Sequence, residues 1–176
     1  SDNEGNGLFA GEDADITGFA SNTFTTNSLA SMTLDVSRIS SLDEGTSFDS
    51  KIRISGELES EATWPNVTDY YEVIDQITVV APLTMNAGVV LKFEADVACF
   101  VNEDGALTTK GTSTEPVHFV GSVEAQGHWE GIKISSKNAA NALDHTLISH
   151  AGSKNQAAAG YEPIALTVDG GAVAIS

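Results

Sequence analysis

A chain of 176 residues, 41% apolar and 19% charged, is long enough to bury one core and too apolar to be disordered. Its 25 acidic residues outnumber 8 basic ones for a formal charge of −17, which works against nucleic acid or an anionic membrane surface as partners, because both need clustered Lys and Arg. With 16 glycines, only 4 prolines and recurrent Thr, Ser, Val and Ala, short strands and tight turns are favoured over long helices. The acidic excess chiefly confers solubility, above all in salt, and Ca²⁺ is the one ion it would attract; no other cofactor is expected. Cys99 stands alone in an apolar setting, so no internal disulfide forms and a buried thiol is expected. No run approaches 18 apolar residues, so no membrane span is expected.

Taken in order, residues 1–15 are rich in Gly, Asp, Asn and Glu and read as a flexible leader. Ser1 in place of Met marks either an arbitrary start or a mature end left by a removed signal. Residues 16–51 follow no single period and read as an N-terminal cap. Within them Met32, Leu34 and Val36 alternate as in a strand, while "NSLASM" also fits a helical turn. Ile52 and Ile54 predict a strand ending at Gly56. Beyond Tyr70, apolar segments of four to eight residues follow one another, separated by Gly, Asn, Asp, Ser or Thr: "YYEVI", "ITVV", "VVLKF", "ACFV", "VHFV", "GIKIS", "IALTV". No helix of ordinary length fits between them, and the fold class is all-β.

A longer period underlies these segments. Phe93, Val120, Ile148 and Ile175 close apolar segments about 27 residues apart, and Leu83, Leu107, Ile134 and Leu166 form a second track with one longer step. That step contains "SKNQAAAGYEP", which reads as an inserted loop. A unit of this size cannot bury its own inner face, but coils stacked at roughly 4.8 Å would pair each strand with its equivalent in the next turn. Residues 52–176 are therefore expected to form parallel coils. A hairpin sandwich would need turn signals every 8–12 residues, and only "EDGA" and "VDGG" come close.

Several stretches carry a resemblance. Thr63 and Trp64, Leu83 to Gly88, the coil Gly105, Leu107, Gly111, Thr112, Pro116 and Phe119, the step Trp129, Gly131 and Ile132, and Leu143, Ile148, Ala151 and Gly152 resemble bacterial exported right-handed parallel β-helix proteins of pectin-lyase-like solenoid architecture. Asn86 and Ala87 stand where that group more often has Glu-Pro. The resemblance implies a right-handed parallel β-helix on or outside a cell, with lipid anchoring to an outer membrane as one form. Its shared residues are corners and ladder positions, which speak for architecture more than function. The last strand ends without a polar or helical cap, so the helix is expected to be truncated there or to stack end to end on another copy.

Candidate chemistry is sparse. In "QGHWEG", His128, Trp129 and Glu130 form the densest polar-aromatic group, and a solvent-facing indole beside a His and a carboxylate would suit a sugar. The competing reading makes Trp129 a corner plug. His145 and His150 differ by an odd number along a strand and should point to opposite faces, whereas His118 would lie one coil from His145. Glu94 with Asp96, on one strand face, and Glu103 with Asp104, at a turn, are the carboxylate pairs a polysaccharide-cleaving site would use. Neither has the Lys or Arg that a lyase needs. "FTTNS" hints at an ice-binding threonine face but is not repeated. No catalytic residue and no metal ligand is assigned. The preferred function is a non-catalytic surface or extracellular module binding polysaccharide or acting as a spacer, the alternative being the N-terminal fragment of a polysaccharide-degrading lyase or glycoside hydrolase.

Overall fold

The computed structural model describes residues 3–16, 19–43, 45–154 and 163–176. In chain order its elements are β1 (Asn6–Ala10), β2 (Thr23–Phe24), β3 (Ala30–Asp35), a 3₁₀ helix (Val36–Ser41), β4 (Ser47–Phe48), β5 (Ile52–Leu58), β6 (Ala62–Trp64), β7 (Tyr71–Val79) and β8 (Pro82–Met85). There follow β9 (Val90–Phe93), β10 (Ala98–Val101), β11 (Ala106–Lys110), β12 (Val117–Gly121), β13 (Gly131–Ile134), β14 (Ala142–Asp144), β15 (Thr146–Ile148), β16 (Leu166–Val168) and β17 (Ala174–Ile175). Every ladder between these strands is parallel. Antiparallel hairpins would have given alternating directions, so among the described strands the sandwich reading is excluded.

The pairings sort into three stacks. The first holds β1, β3, the leading half of β5, the leading half of β7, β9, β12 and β15. The second holds the trailing halves of β5 and β7, then β10, β13 and β16. The third holds β6, β8, β11, β14 and β17. From the end of β7 onward the chain visits second, third and first stacks in that order and repeats. The all-β architecture with its long parallel sheet is thus compatible with a β-helix or similar solenoid. "YYEVI" and "ITVV", expected as separate strands, are one strand, β7. It crosses from the first stack to the second where Ile54 pairs with Val73 but Gly56 with Ile77, a bulge that bends the strand without ending it.

Alternation along each strand sends one residue in two inward, and register lines these up as ladders. Met32, Ile52, Tyr71, Leu91 and Phe119 are successive partners in the first stack. Leu58, Val79, Val101 and Ile134 do the same in the second, as do Ala62, Leu83 and Leu107 in the third. All are buried in one continuous core. The parallel stacking begins before Ile52, since β1 and β3 extend the first stack. Beside them Phe24 of β2 and Phe48 of β4 stack at 5.8 Å, with Phe19 against both.

The ambiguous segment near Met32 resolves into both alternatives in succession. Met32 and Leu34 belong to strand β3, whereas Val36 opens the 3₁₀ helix. Asp35 switches the chain between them by accepting the Ser37 backbone N–H at 2.9 Å, as an N-cap does. The helix buries Val36 and Ile39 and packs on β5 and β6.

The two sequence tracks fare differently. Leu83 does pair with Leu107, but Ile134 pairs with Val101 and Val168, and Leu166 with Ile132, all in the second stack. Phe119 rather than Val120 faces Ile148, and Ile175 pairs with Leu143 in the third stack. Corners of unequal length cause this: a constant period cannot follow one face when the connections lengthen from coil to coil. Of "SKNQAAAGYEP", residues 155–162 lie outside the described residues, as do Ser1 and Asp2 of the expected leader.

Two buried polar features yield predictions. On the outer side of the first stack Glu72 is 6% exposed between its ladder neighbours Arg53 and Lys92. Its carboxylate takes Lys51 Nζ at 2.5 Å and Arg53 Nε at 3.1 Å. Glu72→Ala is expected to cost about 2 kcal/mol by urea unfolding, less than the roughly 3–5 kcal/mol of a wholly buried pair, because both cations stay partly exposed. Replacing all three residues by Met should recover most of that loss.

Burial also pushes the Cys99 thiol from the ordinary 9.0 up to about 12, and the Tyr71 phenol upward as well. Both groups ionise in the unfolded chain before the folded one, so unfolded molecules bind fewer protons and stability falls as pH rises from about 9 to about 12. Native protein at pH 8 should leave Cys99 unlabelled by iodoacetamide, with full labelling in urea. Rapid labelling of native protein would contradict the burial.

Candidate functional site

His128, Trp129 and Glu130 lie on the corner that enters β13, and their side chains serve three separate surroundings. Trp129 is fully buried. Its indole stacks on Phe93 with ring centroids 4.0 Å apart, and Phe93 in turn stacks on Phe119 at 6.3 Å. The indole Nε1 donates to the Ser149 carbonyl at 2.8 Å. The ring therefore bridges coils as the corner-plug reading has it, and it has no free face for a sugar. His128 is half-buried, with Nε2 3.0 Å from Ser122 Oγ and its backbone N–H donated to the His150 carbonyl at 2.7 Å. Glu130 accepts Lys154 Nζ at 2.6 Å, and that hydrogen bond raises the Lys154 pKa.

The other candidates also shift. Glu94 and Asp96 lie at the corner between β9 and β10 and not on a strand face; Asp96 has φ 58° and donates its N–H to the His128 carbonyl at 3.0 Å. Glu103 and Asp104 occupy the turn before β11, as expected. His145 and His150 flank β15 outside the strand, with φ 43° and 62°, so strand alternation does not govern their directions. Opposite His118 stands Leu147 rather than His145. Of "FTTNS", Phe24 lies in β2, paired with Phe48 of β4, and its two threonines, Thr25 and Thr26, follow that strand. Among the described residues no group of three His, Cys, Asp or Glu is placed to hold a metal ion.

Two surface grooves among the described residues bear on these candidates. One, of about 420 Å³, follows the corners after β10, β13 and β16 and is lined by Glu103, Ser135, Lys137, Asp169 and Gly170. At its edge Lys133 pairs with Asp169 at 3.0 Å. The other, of about 360 Å³, lies where β11 leads into β12 and β14 into β15. It brings His118 and His145 together after all, with the hydroxyls of Thr112, Ser113 and Thr146 and the side chain of Leu147.

This second groove is built by local constraints. Gly111 has no side chain because a Cβ there would lie 2.6 Å from the Asp144 carbonyl oxygen of the next coil. The following loop closes on itself, with Thr112 N–H donating to Glu115 O at 3.0 Å and Glu115 N–H to Thr112 Oγ1 at 3.0 Å. Val117 N–H donates to the His145 carbonyl at 3.1 Å and holds the two coils level. The sequence marked Gly111, Thr112 and Pro116 only as corner residues; that the corner faces two imidazoles depends on which coils stack.

Comparison with protein-family models, with curated proteins and with solved structures finds no match for this chain. The functional reading therefore stands on the geometry alone.

Proposed function

We propose that the chain is a right-handed parallel β-helix of pectin-lyase-like architecture, working as a non-catalytic module on or outside a cell that binds carbohydrate from a rigid stack. The observation that carries this reading is the in-register ladder system. Three stacks visited in turn, filled by aliphatic ladders and the Trp129–Phe93–Phe119 stack, make a stiff body whose outer faces and corners are free to vary. The acidic surface supports a solvated, exported setting. The groove containing Glu103, Lys137 and Asp169 favours a second reading, part of a polysaccharide-degrading enzyme, because paired carboxylates beside a cation are what such chemistry uses.

Incubation with insoluble and soluble polysaccharides, neutral and acidic, separates the two. The binding module should be retained on at least one neutral polysaccharide and release no reducing ends. Release of reducing or unsaturated sugars would replace it with the enzymatic reading. Neither retention nor release would leave the spacer role alone.

A further inference from the structure

The geometry points to the groove around His118 and His145 as the carbohydrate site itself, taking one or two uncharged sugar rings. This rests on the binding-module reading and specifies both place and ligand class.

Three properties of the groove carry the inference. Its volume, about 360 Å³, falls within the roughly 300–1,000 Å³ of small-ligand sites. No Asp, Glu, Lys or Arg side chain is in its lining, although the chain carries 25 acidic residues. The carboxylate of Asp144, next to the lining residue His145, accepts the hydroxyl of the lining residue Ser176 at 2.5 Å. What the lining does offer is neutral hydrogen-bonding capacity on two neighbouring coils. Thr112 Oγ1 already accepts the Glu115 N–H at 3.0 Å and Thr146 Oγ1 lies 2.6 Å from Thr109 Oγ1, so these two hydroxyls offer a ligand only their remaining capacity. Ser113 can donate and accept, and a neutral imidazole has one nitrogen of each kind.

Beside these groups Leu147 is 46% exposed, an apolar surface next to polar ones. A pyranose has the complementary form, with hydroxyls around its rim and C–H groups on its faces. An acidic sugar would enter the field of a −17 chain with no cation in the lining to receive it. A metal ion finds only two imidazoles and no third strong donor among the described residues.

Isothermal titration with xylo-, cello-, manno- and galacto-tetraose, and with galacturonan oligomers as the acidic arm, tests the assignment. His118→Ala and His145→Gly remove the imidazoles without threatening the fold: His118 faces outward, and glycine accepts the positive φ of residue 145 more readily than histidine. The intact protein should bind at least one neutral tetraose, and each variant should weaken that binding tenfold or more with an unchanged melting midpoint. If the variants bind normally while Lys137→Ala abolishes binding, the site is the other groove; the module reading then survives and this assignment falls. Binding confined to galacturonan would overturn the ligand class, and no binding by the intact protein would overturn site and module together.

Discussion

Trp129→Ala is expected to destabilise the protein by about 3–5 kcal/mol, the range for truncating a large buried aromatic side chain. The loss has two parts. Phe93 is stripped of its partner at 4.0 Å, and Phe119 behind it loses support, so a void opens between coils that the ladders cannot close without shifting register. The Ser149 carbonyl also loses its donor. Trp129→Phe keeps an aromatic ring against Phe93 and forfeits mainly the hydrogen bond and some volume, so it should cost markedly less, about 1–2 kcal/mol. Urea unfolding followed by tryptophan emission reads both variants. Trp64 and Trp129 are fully buried, so native emission should be blue-shifted and move red on unfolding.

Gly131→Ala should cost more than about 3 kcal/mol, because two penalties coincide at the start of β13. Gly131 has φ 117°, a conformation that a residue with a Cβ adopts only under strain. A Cβ there would also sit 2.5 Å from the Ala165 carbonyl oxygen and 2.9 Å from that of Ile164, both backbone atoms of the next coil. Those atoms belong to the approach to β16, so relief would require prising two coils apart. Gly170→Ala isolates the first penalty, since Gly170 has φ 71° but no atom within 4 Å of a built Cβ. It should cost only about 1–2 kcal/mol. Equal costs for the two variants would show that coil contact is not what demands glycine at position 131.

Local features were legible from composition and alternation. The short strands after Tyr70 and the inward positions of Leu83, Leu107 and Ile134 follow from apolar residues at a period of two broken by turn formers, and the longer repeat and the scarcity of hairpin signals point to parallel stacking. The parallel β architecture also agrees with the resemblance seen at Thr63–Trp64, Gly105–Phe119 and Trp129–Ile132, although no family model matches the chain. Less was legible at the corners. Glu94 and Asp96 read as a strand pair but flank a turn, and the apolar run through Tyr71 and Val79 read as two strands because a bulge and a strand end look alike in sequence. His118 and His145 were matched by a constant spacing that the coils do not keep, yet the groove between their coils still unites them.

What the sequence determines by itself is therefore the unit: strand, corner, strand, with one residue in two committed to the interior. That commitment is local, set by side-chain polarity against a fixed backbone period. Only the tertiary structure decides which unit lies on which, whether Trp129 faces solvent or Phe93, and which hydroxyls meet which imidazoles. Neighbouring strands of Val, Ile and Leu offer nearly equal apolar area in several registers, so the choice among them rests on close contacts. The bare backbone at Gly111 and Gly131, the bulge between Ile54 and Gly56 and the Trp129–Phe93 stack are contacts between residues on different coils, and no local pattern in the chain reports them.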